Sequence, residues 1–210
     1  MTADIENANL FMVCNKLNTG AMAKLPDGFH IRHIRPEELD IWKRMPFDDE
    51  QTADKYFDYM GDWFKHVYAS RIQEFYDSCL FVCNEEDFPI GTCFTWNAYG
   101  NIPTVHWFKV IKPMESKGIG RALLSEVLKE AMFPIYLHTQ PGSYRAIKLY
   151  TDFGFDFLLD PKIGTRVNDL ETALPYLKMQ MPKKDYENLR FTYAPQEFLH
   201  LLSQYETIEF

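Results

Sequence analysis

Short runs of alternating polar and apolar residues cover much of this chain, and a few stretches carry apolar residues every three or four positions. The first pattern marks strands and the second marks helices. "HIRHI" at 30–34 alternates and reads as a strand. Pro36 then suits the first turn of a helix, with Glu37 and Glu38 near its positive end, so "EELDIWKRM" continues as a helix. Tyr56, Met60, Trp63, Phe64, Val67 and Tyr68 keep helical spacing within 51–76. That predicts one long helix, or two with a break near Gly61.

Two strand-like runs, "CLFVC" and "IGTCFTWNAY", are joined by "NEEDFP", a polar link containing Pro, which reads as a hairpin. "PTVHWFKVIK" is a third strand, followed by a helix at about 119–132. "PIYLHT" at 134–139 is another strand and "SYRAIKLYTDF" at 143–153 another helix. "GFDFLLD" and "LPYLKMQM" read as closing strands. Residues 183–210 suggest one or two short helices, "LFMVCN" at 10–15 a strand or a short helix, and residues 1–9 a loose polar start. "LPDGF" at 25–29 is a turn. This order predicts an α+β fold: a mixed, mostly antiparallel central sheet with helices on both faces. The organisation expected is an N-terminal extension at 1–28, a domain at 29–182 and a C-terminal extension at 183–210 packed on that domain.

Composition narrows the partners more than the fold. The chain has 210 residues, 46% hydrophobic and 25% charged, as ordinary soluble proteins do. Its net charge of −8 argues against broad nucleic-acid binding and leaves a cationic partner such as an amine open. The four cysteines form no C-x-x-C pair, so no zinc or dithiol site is expected, and Cys79 and Cys83 read as reduced core thiols. The N-terminus lacks a basic segment before an apolar run, and no stretch approaches the roughly 18 apolar residues of a membrane span. A cytoplasmic location is expected by default.

The chemistry concentrates in "ESKGIGRALLSEVLKEAM" at 115–132. Gly118 and Gly120 remove side chains where a ligand would have to approach backbone. The helix that follows offers unpaired N–H groups and the positive end of its dipole. Lys112, Lys117 and Arg121 make a basic island in an acidic chain. A Rossmann fingerprint is excluded by Leu123, and a Walker A loop is absent. Either a pyrophosphate cradle or a plain glycine-rich helix start fits this stretch taken alone.

A second stretch adds to it. "VIKPMESKGIGRALL" and "AIKLYTDFGF" together resemble the acetyl-CoA-binding motifs of the GNAT superfamily, the Gcn5-related N-acetyltransferases. Val110, Gly118 and Gly120 match the first motif, and Ala146, Leu149, Tyr150, Gly154 and Phe155 match the second at the family's spacing. "FHIRHIRPEELDIW" resembles the family's first strand and helix, and the resemblance spans about 29–182. It departs at Glu115, where the family usually has Arg or Gln, and at Ser143, where an Asn is frequent.

The resemblance implies acetyl transfer from acetyl-CoA, as co-substrate, directly to a primary amine, with no metal. It implies that Glu115, Ser116, Lys117, Gly118, Ile119, Gly120 and Arg121 hold the pyrophosphate. Phe108 and Val110 would offer backbone groups to the pantetheine arm, and Ser143 would cap a helix or touch the CoA arm. Tyr150 matches the family's general acid, and His106 on the preceding strand is the candidate base. Trp63, Tyr68, Trp96, Tyr99 and Trp107 are candidates to line the acceptor cleft. The acceptor is a small-molecule or peptide amine, and a homodimer is expected from the family. A GNAT-fold module that binds CoA with little turnover is the alternative.

Overall fold

A computed structural model of the chain describes residues 5–210. Of the polar start expected to be loose, residues 1–4 lie outside the described residues, and Ile5–Asn7 form a 3-10 turn. In chain order the strands and helices are β1 (Leu10–Cys14), β2 (His30–His33), α1 (Leu39–Arg44), α2 (Glu50–Val67), α3 (Ile72–Ser78), β3 (Leu80–Cys83), β4 (Pro89–Ala98) and β5 (Ile102–Val110). They continue as α4 (Ile119–Leu128), β6 (Ile135–Thr139), α5 (Tyr144–Phe153), β7 (Phe155–Leu158), β8 (Lys162–Ile163) and β9 (Arg166–Val167). The last are α6 (Leu170–Gln180), α7 (Lys183–Glu187), β10 (Phe191–Thr192) and α8 (Gln196–Leu202). The fold is α+β with a mixed, mostly antiparallel sheet, the parallel neighbours being β5 with β6 and β7 with β10.

The chain divides into two compact units. One holds Ala98–Thr104, Met132–Phe210 and the described residues up to Ala21. Here β1 lies between β6 and β7 and runs antiparallel to both, with Met12 opposite Leu137 on one side and Phe157 on the other. All five of its residues are buried. A strand covered on both faces needs no polar alternation, which is why "LFMVC" carries no period in the sequence. Gly154 ends α5 in a left-handed conformation, φ +106°, and β7 starts at the next residue. A Cβ on Gly154 would stand 2.7 Å from the Lys16 carbonyl oxygen, so only glycine fits both the turn and the space.

The closing strand expected at "LPYLKMQM" is instead part of α6. Its buried residues Leu170, Ala173 and Leu177 sit three and four apart, the spacing of a helix face. The stretch 174–181 taken alone omits Leu170 and Ala173, the residues that set that spacing. Pro175 is tolerated on the exposed side. The C-terminal stretch carries two short helices, α7 and α8, and Phe198 of α8 stacks on Tyr136 of β6 with ring centroids 3.8 Å apart.

The second unit comprises Met22–Asn97 and Val105–Ala131. Its strands follow the order β5, β4, β3, β2. Arg32 on β2 donates to both carboxylate oxygens of Glu38, at 2.6 and 2.7 Å, and to Asp87 at 2.7 Å in the β3–β4 turn. The Arg32 guanidinium holds the Glu38 carboxyl below its ordinary range. α2 starts at an Asp49 cap that accepts from the Thr52 N–H and runs through Gly61 without a break. The interruption comes later, at Tyr68.

The core here is aromatic. Trp42, Tyr68, Phe75, Phe94 and Trp96 are buried. Trp42 meets Phe64, Tyr68, Phe75 and Trp107 edge to face, the arrangement that the ring quadrupoles favour. Cys79, Cys83 and Cys93 are buried free thiols, and burial pushes the Cys83 thiol up to about 11. Among the described residues no helix is long and apolar enough to cross a membrane.

Candidate functional site

β5 leads into the glycine loop through a 3-10 turn at Lys112–Met114. Glu115 is extended, with φ −63° and ψ 160°. Ser116 and Gly118, two residues apart, both have positive φ, at +63° and +82°. Left-handed residues interspersed in this way curl the backbone so that successive N–H groups converge, the geometry of an anion nest. Gly118 is also the cap position of α4, which has no capping side chain and no acidic residue in its first turn. Its first N–H groups lack helical acceptors and carry the positive end of the dipole.

A Cβ on Gly118 would find nothing closer than Pro26 Cγ at 3.7 Å. The peptide is therefore not walled in by the fold. Ser116 and Lys117 are exposed, and Glu115, Gly120 and Arg121 are half-buried. Ile119 is buried, so only its backbone can serve a ligand. Part of the basic island is already neutralised. Asp48, two residues before α2, accepts from Lys109 Nζ at 2.6 Å and lies 3.4 Å from Lys112 Nζ. Burial pushes the Asp48 carboxyl up, but the two lysines outweigh it and hold the group below its ordinary range.

Upstream on β5, Trp107 has φ +51°. A bulky residue in that region is an outlier that costs about 1–3 kcal/mol. A left-handed residue inside a strand has the form of a bulge, where the alternation of side chains fails. His106 and Trp107, neighbours in sequence, both reach the hydroxyl of Tyr68. His106 Nδ1 lies 2.6 Å from it, and Trp107 Nε1 donates to it at 2.9 Å. His106 is 5% exposed and Tyr68 fully buried. Beyond the bulge, Phe108 is half-buried and Val110 buried.

Tyr150 and Ser143 belong to the other unit. Tyr150 lies on the buried face of α5 with Ile147, Thr151 and Phe153, 5% exposed, its ring tilted against Phe155. Ser143 precedes α5 and is exposed, and its side chain makes no capping hydrogen bond. Its N–H instead donates to the Gln140 carbonyl at 2.9 Å.

The structure thus gathers 115–121 into one loop and the first turn of α4, on the unit that carries His106, Phe108 and Val110, while Ser143, just before α5, and Tyr150, within it, belong to the other. Of the rings expected to line a cleft, Tyr68 and Trp96 are core instead, at 0% and 2% exposure. Their helical and strand periods marked burial, not access. Trp63 and Trp107 are half-buried. Tyr99 is half-buried in the first unit, where its N–H donates to Glu209 and its hydroxyl to the Thr207 carbonyl. Sequence reasoning missed Asp48 and the Tyr68 hydroxyl, because no motif or period marks either.

His30, Cys83 and Asp87 bring metal-ligand atoms within 4.8 Å of one another. Arg32 and Arg35 pair with Asp87 there, and the Cys83 thiol stays protonated, so the cluster disfavours a cation.

The model of the acetyltransferase (GNAT) family matches residues 40–155. A search of curated proteins found no match in sequence. Among solved structures, the chain is similar to a tandem GNAT protein from the clavulanic acid biosynthesis pathway, at 10% identity and TM-score 0.52. That match covers 73% of this chain and 50% of the other. A Drosophila protein matches at 16% identity and TM-score 0.46, over 70% of this chain and 46% of the other. A GCN5-related N-acetyltransferase from Sphaerobacter thermophilus matches at 15% identity and TM-score 0.45, over 62% and 42%. The chain spans about half the length of these three proteins.

Proposed function

Because the chain belongs to the acetyltransferase (GNAT) family, we propose that it transfers an acetyl group directly from acetyl-CoA to a primary amine. The observation that carries this reading is the loop in which Ser116 and Gly118 turn left-handed and open α4 with uncrowded backbone N–H groups. Those N–H groups would hold the pyrophosphate, with Lys117 and Arg121 adding charge. Glu115 takes part through its backbone, its carboxylate turned from the phosphates. The peptide groups of Phe108 and Val110 would pair with the pantetheine arm.

Acetyl-CoA supplies a thioester carbonyl already activated toward amines. The C–S bond breaks as the C–N bond forms, the amine releases a proton to solvent, and Tyr150 gives its phenolic proton to the departing sulfur. A phenol of pKa about 10 keeps that proton at neutral pH. An alkyl amine acceptor with a pKa near 10.4 is mostly protonated there, so turnover should rise with pH until Tyr150 begins to ionise.

The test is acceptor-dependent release of CoA thiol across a panel of amines, with the product identified by mass. Tyr150→Phe should lower kcat by about 10²-fold or more with little change in acetyl-CoA affinity. An unchanged kcat would remove Tyr150 from the chemistry. Glu115, anionic where the family usually has Arg or Gln, favours a second reading, a module that binds CoA without turnover. A CoA-dependent rise in melting temperature with no thiol release for any amine would select it.

A further inference from the structure

Three side chains meet at one buried oxygen in the second unit. The indole N–H of Trp107 can only donate, so it occupies an acceptor position on the Tyr68 hydroxyl. The hydroxyl keeps one proton to give, and His106 Nδ1 stands 2.6 Å away. An Nδ1 that accepts this proton leaves the ring's own proton on Nε2. That nitrogen has no surface in contact with solvent. The rings around the pair are Trp42, Phe75, Phe94 and Trp96, all uncharged. The Arg71 guanidinium lies over Trp96 at 4.0 Å and donates to the Asn97 carbonyl.

In that tautomer the ring does not suit a base that takes a proton from an amine, because one nitrogen faces Tyr68 and the other carries the hydrogen. It suits a clamp. Residues 106 and 107 would normally face opposite sides of the strand, and the left-handed Trp107 lets both reach the same hydroxyl. Tyr68 itself is fixed at the end of α2, where its N–H donates to the Phe64 carbonyl. The bulge therefore stays tied to a helix end through a single oxygen.

We propose that Tyr68 is a positioning residue. Its hydroxyl holds His106 and Trp107 across the bulge, keeps the His106 proton on Nε2, and so sets the course of the Phe108–Val110 backbone. The consequence for catalysis rests on the acetyl-transfer reading above, in which that backbone aligns the thioester arm. The clamp itself does not depend on that reading.

The full chain labelled with 15N-histidine gives the direct measurement. The His106 signals, identified among the six histidines by their loss in His106→Gln, should show a pyridine-type Nδ1 and a pyrrole-type Nε2 near neutral pH. Tyr68→Phe should shift the Nδ1 signal. The reverse tautomer or an imidazolium pattern in the unaltered protein overturns the inference. In steady-state assays Tyr68→Phe should lower kcat by about 10- to 100-fold, as small misplacements near a reacting group do, while the acetyl-CoA KM stays within about threefold.

Trp107→Phe should behave alike and carries the kinetic test if Tyr68→Phe does not fold. Because both act through one oxygen, the double variant should lose no more than the worse single one, and additive losses count against the clamp. Equal and proportionate losses in kcat and in stability, with the histidine signals unmoved, also overturn it. If the unaltered protein turns over no amine, the acetyl-transfer reading fails, and the histidine signals still decide whether the clamp exists.

Discussion

Gly118 and Gly154 share a positive φ and a place at a helix end, yet their surroundings are opposite. Gly154 closes α5 against a wall: a Cβ there would stand 2.7 Å from the Lys16 carbonyl, 3.4 Å from the Asn18 nitrogen and 3.6 Å from Cys14 Sγ. Gly118 opens α4 with only Pro26 Cγ near, at 3.7 Å. Packing alone accounts for the first glycine. For the second, the fold requires only the backbone sign and leaves the space over the peptide uncrowded. A motif glycine can thus serve the protein's own core or something that approaches from outside, and the neighbours of a notional methyl group tell which.

Substitution should widen this contrast. Gly154→Ala adds a left-handed penalty and a backbone clash that a flexible side chain cannot relieve, so it should cost roughly 3 kcal/mol, or about 6–12 °C in Tm. A shift under about 2 °C would show that the Lys16 turn yields. Gly118→Ala should cost only about 1 kcal/mol in stability. It should, however, weaken CoA binding about tenfold or more, because the methyl stands over the peptide proposed to bind the pyrophosphate. Equal affinity by calorimetry would make Gly118 a purely conformational glycine and erase the contrast.

Asp48 sharpens the same point from the side of charge. It is the protein's own anion on Lys109 and Lys112. Asp48→Asn should tighten CoA binding about two- to fivefold at low ionic strength, with the gain fading in salt. The pair should also show in acid. The folded Asp48 carboxyl is held below its unfolded value of about 3.9, so its stabilising contribution is complete above that pH. It is lost as pH falls further, through the folded value. The Asn variant should lack that part of the acid dependence in a melting series. The smallest effect belongs to Gly61, which sits inside α2 with nothing within 4 Å of a Cβ. Gly61→Ala should stabilise by about 0.5–1 kcal/mol, and any loss would mean the helix needs freedom there.

The legible parts of this molecule were those with a local signature. Alternation marked β2, strand-like runs about a polar turn marked β3 and β4, and the helical period marked α2. The resemblance to the two family motifs located the glycine loop and the Tyr150 helix. What escaped depends on contacts between distant residues. Nothing in "TVHWFKV" announces that Trp107 would be left-handed, because indole has no preference for that conformation and tertiary packing imposes it. Tyr68 carried the same helical spacing as Met60 and Phe64, so its hydroxyl was hidden among apolar neighbours. "LPYLKMQM" resembles a strand because the helical face that defines α6 starts before it, at Leu170 and Ala173. "LFMVC" stayed open between strand and helix because burial on both faces removes the period that would tell them apart.

β1 has a consequence for how the chain acquires its structure. Its partners β6 and β7 are translated more than a hundred residues after it, and the Asn9 N–H finds Asp169 across 160 residues. Until then five apolar residues with both edges unpaired must wait without a sheet. Pairings of such long sequence separation form slowly and leave the nascent strand open to wrong partners. The first unit therefore closes only after β6, β7 and Asp169 have been made, and a substitution that raises the polarity of β1 would act on assembly before it acted on the finished fold.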